Sequence, residues 1–329
     1  MKYSVNPQLP TQDEDKKLLH QLADIPEKPV FIMGLHRSGT TFLYDTVARS
    51  FPVAHLTLYH LFYYQRLLTN YHAQQEEQDK STLNKCFAEL GIENRSIDHT
   101  SITADTVEEY GFLLRRHTGS FKLNTGNVAF FRQLCRKLLV VENNTQAVLL
   151  KNPWDTGNAL WIASQFPHAR FIYISREPMA VLNSMLNALL AYLEQPQAYL
   201  EMLLSADGSR RGYRIGYALW WSLRKLQQLT GSKVIALIAR PLLARTVARQ
   251  IAAYRAEINS LPPEQSIELD YTELVKDPEA TVKRLQILLD LPLTGDVNKI
   301  EVKQRHNLNP VLADYQPILD RLIARAAGA

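Results

Sequence analysis

A glycine-containing loop at residues 34–41 carries the side chains of this chain that are best suited to bind an anion. Gly34 and Gly39 are separated by four residues, as in a phosphate-binding loop, but Thr40 stands where the ATP-binding form of that loop has lysine. The cation of the loop is instead Arg37. Three hydroxyl groups also lie in the loop, on Ser38, Thr40 and Thr41. This combination favours a short anion bound without a metal ion, and a nucleotide phosphate is the natural ligand.

The loop stands between an apolar segment and a helical pattern at 39–50, so we expect it to connect a strand to a helix. The first N–H groups of a helix have no partner within the helix and attract anions, each contact contributing roughly 0.3 to 1 kcal/mol. Charge-assisted hydrogen bonds from Arg37 would add roughly 1.5 to 3 kcal/mol. The sequence therefore predicts a 5′-phosphate group at the start of this helix.

Four apolar, β-branched segments predict buried strands, and each is followed by a helical pattern. These segments are residues 29–34, 147–153, 170–176 and 266–271. Such alternation predicts an α/β fold, a three-layer sandwich with a central parallel sheet and many helical insertions. Ligands of such sheets bind beyond the carboxyl ends of the strands, and Lys151 and Arg176 both stand at such ends. We therefore expect both cations to lie near the phosphate loop.

Ten helices are predicted from apolar periodicity and from capping residues such as Asp277, which precedes Pro278. They span residues 39–50, 56–78, 106–117, 127–142, 155–166, 178–193, 212–230, 241–259, 278–290 and 310–326. Residues 232–241 suit either a strand or a helix.

The composition suits a single domain over residues 1–329, because 46% of the residues are hydrophobic and 21% are charged. Residues 1–28 are expected to form a helical extension, and residues 185–265 a helical insertion. Cys86 and Cys135 lie far apart, which predicts neither a disulfide framework nor a zinc site. The N-terminus lacks the apolar run of a signal peptide, so we expect a cytoplasmic protein.

Positive charge is concentrated between residues 205 and 255, which contain ten lysine and arginine residues and a single acid, Asp207. In the predicted helix 241–259, Arg245 and Arg249 lie on a different stripe from the apolar residues. This helix is either an ordinary packed helix with a solvated positive face or a contact for an anionic membrane surface. No recognition motif accompanies the charges, so a nucleic-acid partner is not expected.

The segment RSGTT at 37–41, placed after a strand, resembles the 5′-phosphosulfate loop of sulfotransferases that use 3′-phosphoadenosine 5′-phosphosulfate (PAPS). Arg176 and Ser184 reproduce the R-x7-S pair of that family, and the resemblance covers most of the chain. Four further segments resemble segments of that family and occur in the same order along the chain: 149–155, 166–184, 268–285 and 303–310. An arginine at the start of the loop is typical of the bacterial and tyrosylprotein-type branch, so sugar, lipid and peptide acceptors remain open.

The resemblance implies transfer of a sulfonate group from PAPS to a hydroxyl or amine group, without a metal ion. It assigns residues 37–41 to the 5′-phosphosulfate and Arg176 and Ser184 to the 3′-phosphate. Arg37 would stabilise the leaving phosphate, and Lys151 matches a lysine that lies beside the bridging oxygen in tyrosylprotein-type relatives. Residues 185–265 would then form the acceptor side.

The sequence offers several candidates for the base that accepts the acceptor's proton. Relatives place a glutamate or a histidine after the loop helix, but residues 46–75 contain no acid. His60 is the first candidate, because imidazole accepts a proton near neutral pH without a large shift of its pKa. His55 and the pair formed by Asp98 and His99 are alternatives, and His60 would otherwise be a packed core residue.

Two further histidines are candidates for contact with the nucleotide. His36 lies inside the loop, and His306, beside Arg305, lies in the C-terminal segment that folds near the nucleotide in relatives.

Two other functions are compatible with parts of the sequence. A chain that kept the loop and lost its base would bind PAPS without catalysis. A kinase would need a lysine at position 40 and an acid for magnesium at a strand end, where Asp270 is the available residue.

Overall fold

The computed structural model describes residues 9–10, 12–94, 101–195, 198–205, 211–295 and 307–328. Within these residues, five strands form one parallel sheet in the order β2-β3-β1-β4-β5. The strands are β1 (Pro29–Met33), β2 (Val53–His55), β3 (Ala147–Lys151), β4 (Arg170–Ser175) and β5 (Ser266–Asp270). The predicted α/β architecture with a central parallel sheet is confirmed, and so are the four predicted strands.

The sequence pattern missed β2, an edge strand that pairs in parallel with β3. It is three residues long, which is too short for an alternating pattern to show. Apolar residues also continue directly beyond it, so no change of composition marks its end.

Helices cover both faces of the sheet. They are α1 (Thr40–Ser50), α2 (Leu58–Phe62), α3 (Leu67–Ala73), α4 (Glu76–Glu89), α5 (Tyr110–Thr118), α6 (Val128–Val141), α7 (Ala159–Gln165), α8 (Pro178–Glu194), α9 (Ala198–Ser205), α10 (Arg211–Thr230), α11 (Ser232–Ile258), α12 (Tyr271–Lys276), α13 (Pro278–Leu289) and α14 (Gln316–Ala327).

The helix predicted at 56–78 is wrong as a single element. It is divided into α2, a 3-10 turn at Tyr64–Arg66, α3 and the first residues of α4. The ambiguous segment 232–241 is helical and belongs to α11, which continues through Pro241. The described part of the N-terminal extension forms two 3-10 turns, Glu14–Lys17 and Leu19–Leu22, and the division into one domain with an extension and an insertion stays a prediction.

Alternate residues of β1 divide the core into two layers. Phe31 packs in the larger cluster on one face of the sheet, and Ile32 packs on the other face with residues of α1 and α13. A strand buried on both faces explains why the segment reads as a continuous apolar run rather than as an alternating one.

The register of the sheet brings the predicted site residues to one edge. Ile32 is opposite Lys151 on β3, and Met33 is opposite Tyr173 on β4. The loop that follows β1 therefore leaves the sheet between the ends of its two neighbours, which is where ligands of parallel sheets bind.

Among the described residues, no helix combines the length and the apolar character needed to cross a membrane.

Candidate active site

The backbone of the loop after β1 requires its two glycines. Gly34 has a φ of 148°, and a Cβ atom there would lie 2.8 Å from the carbonyl oxygen of Ile174. Gly39 has a φ of 101°, and a Cβ atom there would overlap the ring of Tyr271. Between them Arg37 adopts a φ of 72°, a left-handed conformation that costs a non-glycine residue roughly 1 to 2 kcal/mol.

Helix α1 begins at Thr40, with Gly39 as its N-cap residue and no side-chain cap. Its first N–H groups are therefore available to a ligand, as a phosphate site requires. The hydroxyl of Ser38 is buried and donates to the carbonyl oxygen of Leu35 at 2.8 Å. This hydrogen bond stabilises the turn of the loop, so the structure gives Ser38 a positioning contact.

The residues predicted for the two ends of the nucleotide contact one another. Arg37 Nε donates to Ser184 Oγ on α8 at 3.1 Å. Arg176, directly after β4, donates from Nη1 to the carbonyl oxygen of Arg37 at 3.2 Å. Two guanidinium groups are thus brought to the start of α1, and such groups bind phosphate through paired, charge-assisted hydrogen bonds.

An aromatic ring at the end of β5 packs against the loop and against Arg176. The guanidinium carbon of Arg176 lies 4.5 Å from the ring centroid of Tyr271, which favours a cation–π interaction. The same ring lies against Gly39. Tyr271 therefore positions both the loop and the arginine, and the sequence pattern did not single it out.

The described part of the C-terminal segment packs against α8. The N–H group of Asn309 donates to Asn183 Oδ1 at 2.9 Å, and Asn309 Nδ2 donates to Asn187 Oδ1 at 3.0 Å. These contacts lie on the helix that carries the predicted phosphate-binding serine. His306 and Arg305 lie outside the described residues.

Lys151 joins the loop to a carboxylate. Its side chain is 2% exposed, and Nζ donates to Thr41 Oγ1 at 3.0 Å. Nζ also forms an ion pair with Glu109 Oε1 at 3.2 Å. A buried ammonium group needs such partners, and these two place it beside the predicted phosphate site.

Glu109 was not among the residues that the sequence analysis selected. It is the N-cap residue of α5, but its side chain makes no capping hydrogen bond there. It lies close enough to His36 to raise the pKa of that imidazole, against a larger lowering caused by burial and smaller ones caused by Lys151 and Arg37. The net pKa of His36 is lowered, which favours its neutral form.

A buried carboxylate links the chain neighbours of Glu109 and Lys151. Asp155 accepts hydrogen bonds from Tyr110 Oη at 2.7 Å and from Asn152 Nδ2 at 2.6 Å. Tyr110 follows Glu109 directly, and Asn152 follows Lys151 directly. The network therefore ties the start of α5 to the end of β3, and burial raises the pKa of Asp155.

His60 lies on α2, in contacts away from this cluster. Its Nδ1 atom accepts a hydrogen bond from the N–H group of Thr57 at 3.2 Å and completes a capping box. Its Nε2 atom lies 3.5 Å from Glu142 Oε1. No contact described for His60 joins it to Arg37, Lys151 or the phosphate loop.

Burial, with smaller contributions from the charges of His55 and Lys80, lowers the pKa of His60 to about 3. An imidazole with this pKa is a weak proton acceptor at neutral pH. Burial also lowers the pKa of His55. Asp98 and His99 lie outside the described residues, and a histidine base stays a prediction.

The acid on which a kinase would depend caps a helix. Asp270 Oδ1 accepts hydrogen bonds from the N–H groups of Thr272 and Glu273 at 2.7 and 3.3 Å, at the start of α12. Within the described part of the chain, no group of three or more histidine, cysteine, aspartate or glutamate residues is arranged to hold a metal ion.

The part of the chain that contains this loop and this sheet matches a known protein family. The sequence profile of the sulfotransferase family matches residues 29–230 and 221–295. The chain belongs to the sulfotransferase family. The match begins at the strand that leads into the phosphate loop and extends over the cations at the ends of β3 and β4.

Two solved structures resemble this sulfotransferase in fold. STF9 from Mycobacterium avium has a TM-score of 0.60 at 16% identity, and the alignment covers 93% of this chain and 78% of that one. STF1 from Mycobacterium tuberculosis H37Rv has a TM-score of 0.58 at 18% identity, with coverage of 95% and 80%. No curated protein sequence matches this sulfotransferase.

Proposed function

We propose that this sulfotransferase transfers a sulfonate group from PAPS to a hydroxyl or amine group of an acceptor. The observation that carries the proposal is the convergence of Arg37, Arg176 and the buried Lys151 on the start of α1. A donor with phosphate groups at two positions of one ribose requires several cations within a short distance. Thr40, in place of the usual lysine, argues against an ATP-type donor.

The residues of the loop fit the anionic ends of this donor. Gly34 and Gly39 let the loop pack closely against Ile174 and Tyr271, and the first N–H groups of α1 are available to the 5′-phosphosulfate. We assign Arg37, Gly39, Thr40 and Thr41 to that group, with Ser38 shaping the turn. Arg176 and Ser184 are assigned to the 3′-phosphate.

Bound PAPS supplies an activated sulfonate, whose transfer breaks the S–O bond to the phosphate and forms an S–O bond to a hydroxyl acceptor or an S–N bond to an amine, with loss of the acceptor's proton. Arg37 and Lys151 would stabilise the negative charge that develops on the phosphate, since both are held at the loop before reaction. Thr41 orients Lys151 through its hydroxyl group.

We propose Glu109 as the group that accepts the acceptor's proton. It is a carboxylate held next to Lys151, so a hydroxyl group that approaches the sulfonate would meet a proton acceptor and a cation together. His60 is the weaker candidate, because it is buried and its lowered pKa disfavours protonation.

The acceptor is proposed to be a small molecule, sugar, lipid or peptide that carries a hydroxyl or amine group. The test is transfer of radiolabelled sulfate from PAPS to a broad panel of such acceptors. Transfer should be abolished by Arg37→Ala and by Lys151→Ala. Arg49→Ala is the matched control, because Arg49 lies at the other end of α1 and pairs with Asp45 on the surface.

Two results of this experiment would contradict the proposal. Tight binding of PAPS without transfer to any acceptor would identify a non-catalytic binder. Transfer that survives both substitutions would show that the chemistry occurs elsewhere.

A further inference from the structure

The hairpin formed by α10 and α11 exposes a concentration of apolar side chains. Eight of the thirteen large hydrophobic side chains that are exposed in the described part of the chain belong to it. We call these eight the hairpin face: Leu219, Trp221, Leu226, Leu229, Val234, Leu237, Ile238 and Leu242. Single exposed apolar residues are normal, but a group of this size on one element indicates an interaction surface.

Helix α11 is apolar on two sides. Val234, Ile238 and Leu242 repeat every four residues and form an exposed stripe. Val247 and Ile251 are buried against the rest of the protein, as expected for an ordinary packed helix. Packing within the chain therefore accounts for one apolar side of this helix and leaves the other to solvent.

The turn between the two helices is part of the exposed surface. The hairpin turns at Gly231, and Leu229, two residues before it, is 83% exposed. Leu226 and Val234 flank the turn on either side and are also exposed. An exposed turn that presents leucine and valine is suited to enter an apolar medium.

The charge of this region is of one sign. Residues 211–255 contain nine lysine and arginine residues and no aspartate or glutamate. Lys225, whose Nζ atom lies 5.8 Å from the ring centroid of Trp221, and Lys233 are exposed beside the apolar residues. Arg245 and Arg249, also exposed, continue the stripe of Leu242 along α11.

We propose that the hairpin face docks on the surface of a lipid bilayer that contains anionic lipids. Its apolar side chains would enter the boundary of the acyl chains, while the long stems of lysine and arginine let the charged groups reach the lipid phosphates. A second copy of this chain is a poorer occupant. Symmetric pairing would bring the cations of two faces together with no acid from residues 211–255 to neutralise them.

This proposal does not rest on the proposed sulfonate transfer, because the hairpin face shares no residue with the candidate active site. The two are nevertheless connected through the fold. Helix α8, which carries Ser184, packs against both α10 and α11. Docking of the hairpin would therefore hold the active site close to the bilayer.

Vesicle cosedimentation of the full chain tests the proposal. Vesicles of phosphatidylcholine alone are compared with vesicles that also contain phosphatidylglycerol. We expect binding to the anionic vesicles that is on the order of tenfold tighter and that weakens as salt is added. Equal binding to both kinds of vesicle, or no binding to either, would overturn the proposal.

A triple substitution distinguishes binding through the hairpin face from non-specific adsorption of the protein to vesicles. Leu229→Ser, Leu237→Ser and Ile238→Ser together should reduce binding to anionic vesicles on the order of tenfold or more. Ile287→Ser is the matched control, because Ile287 on α13 is 84% exposed and lies outside the face. Unchanged thermal unfolding and circular dichroism show that the triple variant is folded, and unchanged vesicle binding by it would refute the assignment.

Trp221 provides a direct readout of insertion. Brominated lipids should quench tryptophan fluorescence in the wild type, and the quenching should fall in Trp221→Phe. Sedimentation of the protein without lipid tests the alternative. A dimer that the triple substitution converts to a monomer would assign the face to a second copy and overturn the membrane proposal.

Discussion

At the scale of single residues, the site depends on cations held in place before any ligand binds. Arg37 adopts a left-handed backbone conformation, which a non-glycine residue keeps only when its surroundings stabilise it. Here the carbonyl oxygen of Arg37 accepts a hydrogen bond from Arg176, and its side chain donates to Ser184. The strain and the contacts together indicate a side chain fixed for anion binding.

Glu109→Gln should lower kcat by roughly 10²- to 10⁴-fold, the usual contribution of a general base. The affinity for the desulfonated product should change little, because the amide keeps a hydrogen-bond acceptor near Lys151. Steady-state kinetics and calorimetric titration measure the two quantities. His60→Asn is the comparison variant, and a larger loss of kcat in it than in Glu109→Gln would return the role of base to His60.

Arg176→Ala should weaken binding of PAPS by roughly 10- to 100-fold, as expected for loss of charge-assisted hydrogen bonds to a phosphate. It should weaken binding of adenosine 5′-phosphosulfate less, because that analogue has no 3′-phosphate and loses only the support that Arg176 gives to the backbone of Arg37. Titration of both nucleotides against the wild type and the variant measures the difference. An equal loss for both nucleotides would contradict the assignment of Arg176 to the 3′-phosphate.

At the scale of elements, the site is made where three strands end together. The loop after β1 supplies the N-terminus of α1, β3 supplies Lys151, and β4 supplies Arg176. The end of β5 adds Tyr271, against which the loop packs. Each strand therefore contributes its residue to the site because of its position in the sheet. The conformation of the loop depends on Gly39.

Gly39→Ala should abolish nucleotide binding and lower the thermal midpoint. The added Cβ atom would overlap the ring of Tyr271, and the backbone there has a positive φ that alanine adopts only with strain. Thermal unfolding and nucleotide titration measure both effects. Gly216→Ala in α10 is the control, because a Cβ atom there would have no neighbour within 4 Å, and it should be stabilising by up to about 1 kcal/mol. Nucleotide affinity of wild-type strength in Gly39→Ala would show that the loop tolerates a side chain.

At the scale of the whole molecule, stability should depend on a buried histidine. The pKa of His60 is lowered from 6.5 to about 3 in the folded protein, so the unfolded chain binds a proton more readily. The stability that comes from burying the neutral ring is complete above pH 6.5 and is lost as the pH falls toward 3. Glu142, which faces His60, has its pKa raised to about 7 by burial, so its contribution is instead lost as the pH rises through 7.

The free energy of unfolding of the wild type should therefore fall relative to that of His60→Asn by about 1.4 kcal/mol for each pH unit below 6.5. Urea unfolding between pH 7.5 and pH 5 measures this slope. His168→Asn is the control, because His168 is exposed. A difference between wild type and His60→Asn that does not change with pH would contradict the burial of a neutral ring.

The phosphate loop, four of the five strands in the described part of the chain and the cations at their ends were all predictable from the sequence. These features have local signals: the spacing of Gly34 and Gly39, apolar runs followed by helical patterns, and charged residues at the points where those runs stop. The carboxyl ends of parallel strands lie at one edge of a sheet, so the predicted strand ends were sufficient to predict that Lys151 and Arg176 lie near the loop.

Which carboxylate reaches the site depends on the packing of distant segments and is seen in the fold alone. Glu109 is separated from Lys151 along the chain, and acids at the start of a helix are common for reasons unrelated to catalysis. Hydrogen bonds of Asp155 to Tyr110 and Asn152 tie the start of α5 to the end of β3, where Glu109 contacts Lys151. His60, on α2, faces Glu142 instead. Contacts of this kind depend on how distant segments pack, and residue type and spacing do not encode that packing locally.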